Sequence, residues 1–160
     1  MALSVDEIRD IIKKKYCADF EYAYFDTYPW TPLKKKIKDC KLALLTTGGI
    51  HLKTDKPFDI ENKLGDYTYR EIPGDIQLEQ LVASHPHYDT RRTSKDFNCI
   101  FPIDRMREFV SDGILGSLST KHFSFMGYTP IWQPLVDEYA PQVAKQLNQE
   151  GVDIALITYG

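Results

Sequence analysis

Val152-Asp153-Ile154-Ala155-Leu156-Ile157-Thr158-Tyr159-Gly160 reads as a buried strand, and the segment before it reads as a helix. Pro134 opens that helix and Gly151 closes it, and Leu135, Val136, Tyr139, Val143, Ala144 and Leu147 recur at helical spacing between them. Pro141 sits inside, where a missing N–H kinks a helix. Upstream, His122-Phe123-Ser124-Phe125-Met126-Gly127 has strand character. A strand, a helix and a strand in succession predict two parallel strands joined by a right-handed crossover. The fold class that follows is α/β: an open, mostly parallel, Rossmann-like sheet with flanking helices.

Working outward, Leu42-Ala43-Leu44-Leu45-Thr46-Thr47 is a second short, nearly continuous apolar run, suited to the middle of such a sheet. Thr68 to Ile72 alternates like an edge strand, and Leu81 to Ser84 suits another short strand. Phe101 to Gly113 reads as a helix, with Pro102 in its first turn and Gly113 at its stop. Ser4-Val5-Asp6-Glu7 is a capping-box pattern, and Leu3, Ile8, Ile11 and Ile12 form the stripe of a first helix ending near Tyr16. The aromatic stretch Phe20 to Leu33 carries Pro29 and Pro32, which bar a regular helix at its end. It reads as an arm packed on the domain or on a partner, with its own core as the default. Residues 1–40 are thus an N-terminal helix and arm, and residues 41–160 the main domain.

A chain of 160 residues makes one domain with one core. The net charge of −3 argues against a nucleic-acid partner, and Lys13 to Lys15 and Lys34 to Lys36 read as solvated faces. No stretch approaches the ~20 apolar residues of a membrane helix. Residues Met1 to Asp10 lack the charged-then-apolar order of a secretory signal. Cys17, Cys40 and Cys99 are odd in number and far apart, which fits free thiols and a cytoplasmic location.

Three loops carry candidate chemistry. In Thr46-Thr47-Gly48-Gly49-Ile50-His51, two glycines after a buried strand allow close approach of a ligand, or simply a tight turn. In Ser84-His85-Pro86-His87-Tyr88-Asp89, two imidazoles and a carboxylate suit metal ligation, with His51 able to join from another loop; they also suit hydrogen bonding to a carboxylate substrate or acid–base work, or loop structure alone. In Asp96 to Arg105, Asp104 falls in a first helical turn, and Arg105 is able to clamp a carboxylate or merely solvate the helix. Cys99 reads as a buried thiol.

Taken in order, Thr46 to His51, Ser84-His85 with Tyr88-Asp89, Asn98 with Phe101 to Arg105, Asp112 to Gly116, Phe125 to Gly127 and Gly151 to Asp153 resemble the selenoprotein B family of the glycine, sarcosine, betaine and D-proline reductases. The D-proline reductase branch is the nearer likeness, and it runs from about Trp30 to Gly160. The resemblance implies a cytoplasmic subunit of a complex that reductively cleaves a C–N bond of an amino acid or N-methylated glycine with dithiol electrons. It implies partner subunits, one bearing a pyruvoyl group, and a selenocysteine in this one. That selenocysteine is expected just after Gly160, read as a stop at a UGA codon, so that this chain holds no cofactor of its own and is cut short. A strand left without its following helix is expected to aggregate or to need a partner. The same resemblance guides catalytic roles for His85 or Asp89 as proton donor, and substrate contacts for Thr47, Gly48, Gly49, His51, Ser84, Tyr88 and Arg105. Two other classes of function stand beside it. One is a non-catalytic α/β binding or assembly module. The other is a small metal-dependent enzyme built on His51, His85, His87 and Asp89.

Overall fold

The computed structural model describes residues 3–27 and 30–159; Tyr28 and Pro29 of the aromatic arm, and Gly160 at the end of the last strand, lie outside the described residues. At its centre is β1 (Lys41–Thr46), the apolar run that the sequence marks as doubly buried. Before it come α1 (Val5–Lys15) and the arm. After it come β2 (Ile50–Leu52), β3 (Tyr69–Pro73), β4 (Leu81–Ala83), α2 (Thr90–Thr93), α3 (Ile103–Ser111), β5 (Ser117–Leu118), β6 (Lys121–Phe125), α4 (Ala140–Gln149) and β7 (Ile154–Thr158).

β7 pairs parallel to β1 along its length, from Leu42 opposite Ile154 to Thr46 opposite Thr158. The other edge of β1 is shared by β5 at Lys41–Leu42 and β6 at Leu45–Thr46, both parallel. β3 closes that side antiparallel to β6. The result is a mixed α/β fold on an open, mostly parallel sheet. Asp153 fastens the start of β7: its carboxylate accepts from the Lys41 N–H at 3.0 Å, and Lys35 pairs with it at 2.9 Å. Among the described residues β7 has no partner on its outer edge, and Ile157 is exposed.

The pleat sorts β1 between two faces. Leu42 and Leu44 join Ile72, Phe101, Ile103 and Met106 in the main core, under α3. Leu45 turns to the other face, where Val143 and Leu147 of α4 lie. The predicted helix from Pro134 is present in two parts, a wide π turn at Leu135–Tyr139 and then α4, with Pro141 in the first turn of α4. Pro141 has no N–H to return to the preceding turn, so the chain widens before the regular helix begins.

Two expectations need correcting. Ile50–Leu52, read as part of a loop, is a strand paired antiparallel with β4. The arm does not cover the core: Tyr24, Phe25 and Trp30 are exposed, and among its described aromatic residues only Phe20 and Tyr22 are half-buried. α1 buries none of its side chains, because the core closes without it; it has its capping box, and Ile12 leans on the body.

Candidate active site at the carboxyl end of the sheet

Three parallel strands end together. The Thr47 N–H donates to the Thr158 carbonyl at 3.0 Å, and the Gly49 N–H to the Phe125 carbonyl at 2.8 Å. The Gly48 N–H donates to Thr46 Oγ1 at 3.1 Å. Thr158 Oγ1 donates to the Ile100 carbonyl at 2.6 Å. The donors of the Gly-Gly turn are therefore already engaged by the chain itself. The glycines answer to the same neighbours. A Cβ on Gly49, whose φ is +64°, would lie 2.4 Å from the Ser84 carbonyl oxygen, and one on Gly48 would lie 2.6 Å from Ile100. Close approach is required here, but by the Ser84 backbone and the Ile100 side chain rather than by a ligand.

Behind the turn, His51 is buried with both ring nitrogens in use. A carbonyl only accepts, so Nδ1 donates to the Leu52 carbonyl at 2.8 Å. Nε2 is then an acceptor, and Ser84 Oγ donates to it at 2.9 Å. The pair ties β2 to the end of β4. It leaves His51 no lone pair for a ligand or a metal.

The Ser84–Asp89 loop lies over this turn. The Tyr88 hydroxyl donates to the Gly48 carbonyl, and the His85 and Tyr88 rings stand 4.5 Å apart. His85 Nδ1 accepts from the His87 N–H at 3.1 Å. Burial first, and His87 second, push the His85 imidazolium down to about 4, while the Met126 backbone pulls weakly the other way. At neutral pH His85 is a neutral ring and a poor proton donor. Asp89 caps α2 by accepting from the Arg91 N–H, and its carboxylate also pairs with the Arg91 guanidinium at 2.8 Å. Those bonds hold Asp89 below the usual carboxylate range, so it too is ionised rather than an acid.

Several candidates fall outside this cluster. Arg105 is on the exposed face of α3, in an ion pair with Glu108 at 2.8 Å. Asp104 is tied to Asn98 and Arg107, linking the preceding turn to α3. Cys99, read as a buried thiol, is exposed. Among the described residues no three His, Cys, Asp or Glu side chains converge as metal ligands, and His51, His85, His87 and Asp89 do not gather into such a group.

What the sequence did not single out is the wall opposite. The chain leaving β6 turns at Gly127, where a Cβ would strike the Thr47 carbonyl at 2.6 Å, and runs through Tyr128, Thr129 and Pro130. With His87 and with Tyr16, Cys17 and Phe20 it encloses a cavity of about 370 Å³. A second, more apolar cavity of about 300 Å³ lies beneath α4 and reaches Thr46, Thr47 and Ile157. Neither has a local motif: Tyr16 and Tyr128 are far apart in sequence, and only the fold joins them.

The model of the glycine/sarcosine/betaine reductase selenoprotein B family matches residues 5–159. The chain belongs to that family. Within it, the chain is 41% identical over 131 residues to the D-proline reductase subunit gamma of Acetoanaerobium sticklandii, an overlap of 82% of this chain and 53% of that protein. It is 28% identical over 156 residues to the glycine reductase complex component B subunit gamma of Symbiobacterium thermophilum, covering 94% of this chain and 35% of that one. It is also 28% identical over 130 residues to the betaine reductase complex component B subunit beta of Peptoclostridium acidaminophilum, covering 78% and 29%. The chain thus spans about half the length of the first relative and about a third of the others. No solved structure matches it. Among the described residues no helix is long and apolar enough to cross a membrane.

Proposed function

We propose that the chain forms part of a cytoplasmic subunit of a reductase complex that cleaves a C–N bond of an amino acid, with D-proline as the first substrate to try and glycine, sarcosine and betaine as the others. The observation that carries this reading is the 41% identity to a D-proline reductase subunit across most of the chain. In the whole complex, further subunits would take part, one of them bearing a pyruvoyl group suited to capturing the amine. A selenocysteine or cysteine following β7 would supply the soft, readily ionised nucleophile.

The chain's own residues fit a supporting role at that position. Thr158 is anchored by its hydroxyl to Ile100 and by its carbonyl to Thr47, which fixes where the strand delivers the next residues. His85 and Tyr88 wall the same end. Neither His85 nor Asp89 carries a proton to spare at neutral pH. The proton that the departing nitrogen needs therefore comes from a group other than these two side chains, and over the whole reaction the dithiol supplies two electrons and two protons as it becomes a disulfide.

The test is reconstitution. The chain, extended through the frame that follows Gly160 and combined with a pyruvoyl-bearing partner, should convert D-proline to 5-aminopentanoate only when a dithiol is present. No product from any of the four substrates would overturn the reading. The codon after Gly160 tests the selenocysteine directly: UGA followed by an open frame supports it, and UAA or UAG counts against it.

A further inference from the structure

We propose that the cavity between α1 and the loop leaving β6 is a binding site for a small N-alkylated ammonium ion, held by cation–π attraction. Three separate stretches of chain bring aromatic rings to it. The His87 ring meets Tyr128 at 4.2 Å and Tyr16 at 5.5 Å between centroids, edge to face in both cases. Phe20 adds another ring. The Tyr128 hydroxyl reaches the Lys63 carbonyl at 3.4 Å, which holds the ring in place.

The chemistry of the lining narrows the ligand. Among the described residues no Lys or Arg lines the cavity, so a carboxylate or phosphate finds no partner inside, and no Asp or Glu lines it either. A primary ammonium is strongly hydrated and would lose water for too few acceptors. An ammonium whose hydrogens are replaced by alkyl groups is weakly hydrated and asks only for ring faces within about 6 Å. Phenols donate that attraction best when neutral, and burial, with Cys17 and Tyr16 nearby, pushes the Tyr128 phenol up. Lys15, which does not line the cavity, already holds Nζ 5.1 Å from the Tyr16 ring centre. Tyr128 is therefore the ring that matters most. The volume, about 370 Å³, lies at the small end for ligand sites.

The assignment rests on the cavity alone. It stands apart from the reductase reading, in which a partner subunit takes the substrate amine. The two are tested separately, because binding needs no reduction step.

Cys17 lines the cavity and Cys99 is exposed elsewhere, so one sample reports both binding and its own control. Iodoacetamide labelling of the full chain is followed for each cysteine by mass spectrometry. Tetramethylammonium chloride should slow labelling of Cys17 severalfold and leave Cys99 unchanged. Tert-butyl alcohol, similar in size and uncharged, should protect far less, and sodium chloride not at all. Tyr128→Leu should raise the half-protecting concentration about tenfold, the equivalent of one desolvated ring face, and Tyr128→Phe should preserve it. Should Tyr128→Leu fail to fold, Phe20→Leu carries the same expectation of weaker protection. Absence of protection, equal protection by tert-butyl alcohol, or full protection in a folded ring-deleted variant would each overturn the proposal.

Discussion

The Gly48–Gly49 turn and the Gly127–Pro130 loop leave the carboxyl ends of neighbouring parallel strands, one closed on itself and the other open. At the turn every N–H from Thr47 to Gly49 has an internal acceptor, and the His51–Ser84 pair seals its back. At the loop, Gly127 presses on Thr47, but the residues that follow line a cavity. The four histidines divide in the same way. His51 and His122 are buried, His85 is half-buried, and His87 is exposed beside the cavity. Polar residues crowded near strand ends are thus not equivalent. Some assemble the site, and others are left to meet what enters it.

The closed region should be the more fragile to a change of backbone. Gly49→Ala must adopt a positive φ and also place its Cβ against the Ser84 carbonyl. It should cost about 3 kcal/mol, read from denaturant unfolding; a loss too small to resolve would mean the turn is less constrained than described.

A second test uses acidity. His122 Nδ1 accepts the Leu44 N–H at 3.0 Å and so fills the gap between β5 and β6 along β1. Burial first, then Arg107, lowers the imidazolium from 6.5 to about 4, against a smaller opposing pull from Glu150. The unfolded chain takes up the proton near 6.5 and the folded chain only near 4. The stability from a neutral His122 is therefore full above pH 6.5 and lost as pH falls toward 4, on the order of 3 kcal/mol. His85 acts in the same direction by less, being more exposed. His122→Asn, which keeps an acceptor but cannot titrate, should flatten the pH slope of the unfolding free energy; an unchanged slope would place the acid sensitivity elsewhere.

The smallest effect is expected at Arg105. Its pair with Glu108 is exposed, so Arg105→Ala should change stability by about 0.5 kcal/mol or less. Substrate affinity in the assembled reductase should stay the same. A large rise in KM would restore the carboxylate clamp that its residue type suggests.

The framework was readable in the sequence because apolar runs and helical stripes leave a strong pattern, even where, as in β7, the strand proves only half-buried. The runs at Leu42–Thr46 and Ile154–Thr158 and the stripe from Leu135 to Leu147 became β1, β7, and the π turn with α4. Short elements were not, since three residues carry no period: Ile50–Leu52 passed for loop, and Thr90–Thr93 and Ser117–Leu118 left no signal. The site was half legible. His85 and Tyr88 do gather at the strand ends with the Gly-Gly turn, but the sequence could not show that the turn's donors were already taken. Nor could it show that Arg105 points away, or that Tyr16 and Tyr128 share a wall.

The division between a closed turn and an open cavity is tested most directly by comparing His51→Phe with Tyr128→Leu, measuring thermal unfolding and tetramethylammonium protection of Cys17 on both. His51→Phe should lower Tm by about 4–8 °C, for roughly 2 kcal/mol of lost buried hydrogen bonding, and leave protection intact in the folded protein. Tyr128→Leu should weaken protection about tenfold with little change in Tm. If His51→Phe abolished protection while Tyr128→Leu left it untouched, the two regions would have been assigned the wrong way round.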